Sequence, residues 1–174
     1  LLIEVEGARE AVEDQADQIE AICKDNHVRE VRRAKSAEER DLLWRGRKNA
    51  FGALGRISPN YYVQDGVIPR TRLPEMLEFI GQVSQKYQLR VGNIFHAGDG
   101  NLHPLLMFDA RDKDQVERVM KAAHEIMAKC VEMGGALTGE HGIGIEKRDL
   151  MPLVFSEDDL DLMTRLKAVF NPDG

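Results

Sequence analysis

The sequence is poor in several things, and each shortage excludes something. Two cysteines in 174 residues give no disulfide framework and no paired-cysteine metal site. Both Cys23 and Cys130 fall on apolar helical positions, so they read as buried, reduced thiols in a reducing compartment. Positive charge is not in excess: 24 Lys and Arg against 30 Asp and Glu leave a formal net charge of -6. A basic footprint for nucleic acid is therefore missing. No apolar run approaches a membrane span and no signal peptide opens the chain. A cytoplasmic protein is the expectation. There is no internal repeat, low-complexity segment or obvious linker.

What is present is ordinary for a globular protein: 43% hydrophobic and 31% charged residues. The length suits one domain, or two small lobes sharing a core. The first residues, LLIEVEG, begin in mid-strand without Met, and FNPDG stops just past a helix. The chain is expected to be a piece of a longer protein.

Alternation predicts a strand over 1–6, and helical spacing of Ala8, Val12, Ile19 and Ile22 predicts a helix over 8–25. Residues 28–34 read as a short polar strand. Ser36 with Glu39 forms a capping box that opens a helix running to about Leu54. A loop at 55–60 leads to a strand over 61–69. Leu73, Met76, Leu77, Ile80, Val83 and Tyr87 mark the next helix. Strands at about 90–97 and 102–108 flank GDGN. A clear amphipathic stripe from Val116 to Cys130 follows, stopped by Gly134-Gly135. After a Gly-rich loop, with a short strand at its start, Ser156 and Asp159 cap a last helix over 157–170. This order predicts an α+β fold, an antiparallel sheet with helices on one side.

The stretch NIFHAGDGNLHPLLMFD (93–109) carries two of the five histidines. Asp99-Gly100 between apolar strands signals a two-residue hairpin turn. In that register His96 faces His103 on one side of the hairpin, with Cβ atoms roughly 4.5–5.5 Å apart. Phe95, Ala97, Leu102, Pro104, Leu106 and Phe108 point to the other, buried side. A second segment, TGEHGIG (138–144), sets Glu140 and His141 between glycines that let the backbone aim both side chains into one space. Two histidines and a glutamate with open positions form a competent catalytic site for zinc, manganese or iron(II). His141 is then free to act as acid or base. Arg47, on or beside the apolar stripe of its helix, is the first candidate to clamp a substrate carboxylate. Lys48, Tyr62, Arg56 and Lys147 are weaker candidates. Asn101 can donate to substrate or cofactor, though turn formation explains it equally well. His27 and His124 read as surface or helix-flank residues.

FHAGDGNLHPLLMFD and GGALTGEHGIGIEKRDLM resemble the signature blocks of the C-terminal (substrate, or cap) domain of FAD-linked oxidases of the vanillyl-alcohol oxidase type. The resemblance runs from about residue 36 to the end. WRGRKNAFGALGRISPNYYVQDGVIPRTRLPEML (44–77) is similar to the glycolate oxidase FAD-binding subunit and D-lactate dehydrogenase group in particular. The resemblance implies ferredoxin-like halves, with FAD held mainly by an N-terminal domain of the same chain. It implies oxidation of a 2-hydroxy acid to the 2-oxo acid, with His96, His103 and Glu140 on a divalent metal and His141 as base. Asn101 and Gly142 are its cofactor-side candidates. Further glycolate oxidase subunits, and through them a peripheral place at the inner membrane, are implied as well. The hydroxyglutarate-specific branch has an Asn where this chain has Leu105 and a Lys where it has Val63. A small monocarboxylate such as glycolate or lactate is therefore the expected substrate. Two other functions fit the residues: a metal-dependent hydrolase domain, and a non-catalytic ferredoxin-like oligomerisation module.

Overall fold

The computed structural model describes residues 1–172. The chain divides into two compact units, one over Leu1–Phe51 and one from Gly52 onward.

The first unit contains helices α1 (Arg9–Asp25) and α2 (Ala37–Lys48). The strands expected at 1–6 and 28–34 do not form. Alternation supplies a face but not a neighbour, and a strand needs a second strand to take its backbone groups. Side chains anchor these segments instead. Glu4 accepts hydrogen bonds from Arg40 and from Trp44 Nε1, and Arg33 reaches Asp17 at 2.6 Å and Glu20 at 2.8 Å. The Arg40 guanidinium holds Glu4 below the usual carboxylate range. The expected cap on α2 is present, with Ser36 Oγ accepting from the Glu39 amide at 3.3 Å. Its reciprocal half is displaced by one residue, because the Glu39 carboxylate takes the amide of Lys35. The helix also stops short of Leu54. It ends at Lys48, with Asn49 as its C-cap, and a short helix α3 (Ala50–Leu54) follows. Asn competes for the backbone in non-helical conformations, and Gly46 and Gly52 weaken the helix around it.

The second unit is built on two small antiparallel sheets. Strands β1 (Asn60–Val63), β3 (Arg90–Asn93) and β5 (Pro104–Phe108) form one, in the order β1-β5-β3, and β2 (Gly66–Val67) pairs with β4 (Asn101–Leu102) in the other. The single strand expected over 61–69 is thus split between two sheets. Its partner splits at the same height: Val63 lies opposite Leu105 in the first sheet and Gly66 opposite Leu102 in the second. Between these pairs Gln64-Asp65 passes His103-Pro104 with the ladder interrupted. Pro104 has no amide to contribute. This interruption is where the candidate site lies.

Helices α4 (Leu73–Tyr87) and α5 (Lys113–Glu132) pack on each other and on the sheet. Met76, Ile80 and Val83 of α4 meet Val119, Ala122, Ala123, Ile126 and Cys130 of α5 over Leu102 and Leu106. Each fully buried large side chain stabilises the fold by about 1.5–3 kcal/mol. The α+β reading holds, with helices laid against antiparallel strands. The capping box at Ser156 and Asp159 opens α6 (Glu157–Phe170) as expected. Cys130 is buried, but Cys23 is only half-buried, a correction to its expected place in a core. Burial pushes the Cys130 thiol up to about 12.

Candidate metal and catalytic centre

The hairpin over 93–108 does not have the two-residue turn its Asp-Gly suggests. His96 bridges Asn101, not His103, with its amide donating to the Asn101 carbonyl at 2.9 Å. The turn therefore holds four residues, 97–100. Gly100 sits at φ +73, while Asp99 is not among the positive-φ residues that a two-residue turn would need. Tertiary packing explains the choice. The Ile68 amide donates to the Gly100 carbonyl at 3.0 Å, which ties the turn to the chain leaving β2.

The register is displaced by two residues, and a displacement of two keeps every side chain on its face. His96 and His103 remain neighbours, diagonally rather than directly opposed. Their rings meet edge to face with centroids 5.6 Å apart. The opposite face buries as expected at Leu102, Pro104 and Leu106, with Phe95 and Phe108 packed partly against the core.

The Gly-rich loop brings the rest of the centre. Glu140 Oε1 lies 3.0 Å from His103 Nε2 and 3.8 Å from His96 Nε2. The His141 ring stacks on His103, with centroids 5.0 Å apart and planes 5° from parallel. His103 is buried, while His96, Glu140 and His141 each keep about half of their side chain in solvent. The other nitrogen of His103, Nδ1, lies 3.3 Å from the Gln64 carbonyl. A proton on Nδ1 donated to that carbonyl leaves the Nε2 lone pair facing the Glu140 carboxylate. The other tautomer, with the proton on Nε2, donates to Glu140 at the same 3.0 Å, so the contact serves either as a hydrogen bond or, with the proton on Nδ1, as two donor atoms open to one cation. Two imidazoles, one carboxylate and a buried backbone partner that fixes the ring are a donor set that fits a divalent metal. The ligand atoms of His96, His103 and Glu140 lie within 4.8 Å of one another.

Asp65, His103 and His141 meet the same distance condition, but Asp65 is already engaged. It is fully buried, and Oδ2 accepts from Thr138 Oγ1 at 2.7 Å and from the amides of Gly139 at 3.0 Å, Glu140 at 3.2 Å and His141 at 2.9 Å. Burial alone would raise its pKa. The hydrogen bonds from Thr138 and the three amides outweigh burial and hold the carboxyl far below the usual range. Sequence reasoning missed this residue. The available signal was an acid at Asp65 in the middle of a stretch read as an apolar strand.

Of the other expected site residues, Asn101 and Gly142 lie with the centre and the rest lie elsewhere. Lys147 is structural: its buried ammonium donates to the carbonyls of Asp65 and Leu137, both at 2.9 Å, and pairs with the Asp65 carboxylate at 3.4 Å. Tyr62 lines a different groove, of about 610 Å³, with Gln64, His124, Glu146 and Lys147. None of the four centre residues lines it. Burial, with the nearby Glu146 carboxylate, raises the Tyr62 pKa. Asn101 is at the centre, and its buried Oδ1 has no hydrogen-bond partner. Gly139 passes so close that a Cβ on it would lie 2.7 Å from the Asn101 carboxamide. Gly142, at φ +84, donates its amide to Thr138 Oγ1 at 2.8 Å and so closes the loop. Arg47 and Lys48 belong to the first unit, and neither has an ion-pair partner among the described residues. Arg47 is half-buried and Lys48 exposed.

The family model for the C-terminal domain of FAD-linked oxidases matches residues 1–174, the whole chain. The chain belongs to the FAD-linked oxidase C-terminal domain family. This FAD-linked oxidase domain is 46% identical over 174 residues to the glycolate oxidase subunit GlcD of Escherichia coli (strain K12), covering 100% of the chain and 35% of that relative. It is 40% identical over 172 residues to the GlcD subunit of Bacillus subtilis (strain 168), covering 99% of the chain and 37% of the relative. It is 33% identical over 179 residues to a probable mitochondrial D-lactate dehydrogenase of Danio rerio, covering 99% and 35%. The domain spans about a third of the length of these curated relatives.

Proposed function

We propose that this domain is the substrate-binding and catalytic part of a flavin-dependent oxidoreductase that converts a small 2-hydroxy acid, of the glycolate or D-lactate type, to the 2-oxo acid. One observation carries the reading: His96, His103 and Glu140 converge, with His141 stacked beside them, in a domain of the FAD-linked oxidase family. FAD, held mainly by a separate segment of the same protein, would supply the hydride acceptor, and a zinc, manganese or iron cation held by His96, His103 and Glu140 would supply Lewis acidity.

The residues of this domain divide the remaining tasks. His96, His103 and Glu140 hold the cation. His141, half in solvent, takes the proton of the 2-hydroxyl. Arg47 is the proposed clamp for the carboxylate, because its guanidinium fork matches a carboxylate bidentately, with Lys48 as a second cation. Asn101 Oδ1, buried and without a donor, suits a hydrogen bond from substrate or flavin. Gly142, on the exposed turn of the loop, is proposed to face the flavin. Val63 and Leu105 support a small substrate. They are direct cross-strand partners, both apolar, at the two places where the resemblance puts Lys and Asn in the hydroxyglutarate-specific branch. The wider expectations, a cytoplasmic protein that joins further glycolate oxidase subunits at the inner membrane, belong to this reading too.

The test uses the full-length protein. His141→Ala is expected to abolish flavin reduction by glycolate or D-lactate and to spare metal content measured by mass spectrometry. His103→Ala is expected to lose the metal. Unchanged reduction in His141→Ala removes it as the base. Metal-dependent hydrolysis without flavin would replace the reading altogether.

A further inference from the structure

Glu140 and His141 present a problem of placement. Both are about half in solvent and both stand on a loop without regular structure, between glycines. Side-chain packing does little to hold them, yet Glu140 must meet His103 Nε2 while His141 lies flat on the same ring. The backbone must therefore fix them. Three successive amides, Gly139, Glu140 and His141, turn inward to a single carboxylate. A chain whose consecutive amides share one acceptor has little freedom to rotate, and successive side chains leave it in set directions. The acceptor is itself immobile. Asp65 is buried at the break between the two sheets, its own carbonyl is held by Lys147, and it stands across from His103, with Oδ1 3.9 Å from Nδ1. The same residue thus registers the loop against the hairpin histidine.

We propose that Asp65 is the positioning residue of the centre: its buried carboxylate gathers the amides of Gly139, Glu140 and His141 and so determines where Glu140 and His141 meet His103. The inference rests on the metal-centre reading for its consequence, but not for its geometry. Lys147 has a lesser part. It neutralises the buried carboxylate and draws Leu137, at the start of the loop, toward the same point.

Two readouts on the full-length protein test this: hydrogen exchange of the 139–141 amides, and affinity for Mn²⁺ added alone. Asp65→Asn keeps the size and one acceptor oxygen but removes the charge, so the amides that converge on Oδ2 bond to a neutral acceptor. Hydrogen bonds to a charged group are each worth enough that the three amides should exchange at least about tenfold faster. Mn²⁺ affinity should fall about 10–100-fold, as for other residues that orient metal ligands. The double variant Asp65→Asn/Lys147→Met removes the unpaired ammonium. It should recover thermal stability without recovering amide protection or Mn²⁺ affinity. Thr138→Val, a milder change at the same carboxylate, should show a smaller loss in both readouts and serves if Asp65→Asn does not fold. Unchanged exchange in Asp65→Asn overturns the proposal, as does unchanged exchange and affinity in Thr138→Val. Recovery of affinity in the double variant also overturns it, since Asp65 would then only balance Lys147. If the wild-type protein takes up no Mn²⁺ while Asp65→Asn frees the three amides, the metal reading fails and the positioning role stands.

Discussion

Replacing Gly100 by alanine tests the hairpin register on which the centre depends. Gly100 adopts φ +73, and a Cβ there would lie 2.1 Å from the Ile68 carbonyl oxygen. Left-handed backbone costs alanine about 1–2 kcal/mol. Ordinary contact requires the carbonyl to retreat by about 1 Å, and such overpacking costs about 1–3 kcal/mol. The retreat also strains the bond from the Ile68 amide to the Gly100 carbonyl, worth about 0.5–1.5 kcal/mol. Together these predict a loss of about 3–5 kcal/mol, or roughly 10 °C in Tm for a chain of this size. Gly98→Ala is the control. A Cβ at Gly98 meets nothing within 4 Å, so its effect should stay within about 0.5 kcal/mol. Asp99→Gly separates the two turns. A two-residue turn would gain from glycine at that place, whereas the observed turn, with Asp99 outside the positive-φ region, should lose up to about 1 kcal/mol through the freer unfolded chain. Urea and thermal unfolding followed by circular dichroism give all three values. A Gly100→Ala protein as stable as Gly98→Ala would refute the four-residue turn and its contact with Ile68.

Other outcomes follow from the same geometry. Cys130 should resist thiol reagents until the protein unfolds, while half-buried Cys23 labels faster; equal rates at both would contradict the packing of α5. Because the Cys130 pKa is raised to about 12 in the fold, the unfolded chain releases that proton first as pH rises. Its contribution to stability is complete below about pH 8 and is lost through the range from about pH 8.5 to 12, with a slope of at most about 1.4 kcal/mol per pH unit. Cys130→Ala should flatten that slope, and an unchanged slope would assign it to other groups. His103→Ala should destabilise the second unit as well as empty the centre, because the Gln64 carbonyl is left buried without a donor at about 1–3 kcal/mol. His96→Ala, at an exposed ring, should affect metal uptake with little change in Tm.

Much of this domain can be read directly from residue order. Helices α1, α4, α5 and α6 follow from apolar residues at helical spacing, and the caps at Ser36 and Ser156 follow from serines placed three before an acid. Such local signals suffice because a helix completes its own backbone bonding. Strands do not. Residues 1–6 alternate as a strand should and 28–34 read as a short polar one, yet neither forms a strand, since pairing requires a neighbour that local pattern does not supply. The pairing of His96 with His103 as members of one face was also legible, because a side-chain period of two survives a slip of two. Their register was not legible. It is decided by the tie between Ile68 and Gly100, and no turn dipeptide encodes that tie. Likewise Glu140 and His141 identify themselves by residue type, between glycines. What they meet is fixed by Asp65, 75 residues away from Glu140, whose burial and five donors exist only once two sheets and a loop have come together. Residue order sets which chemical groups this domain owns and which faces they share. The tertiary structure alone decided their spacing, because that spacing is set by hydrogen bonds between segments far apart in the chain.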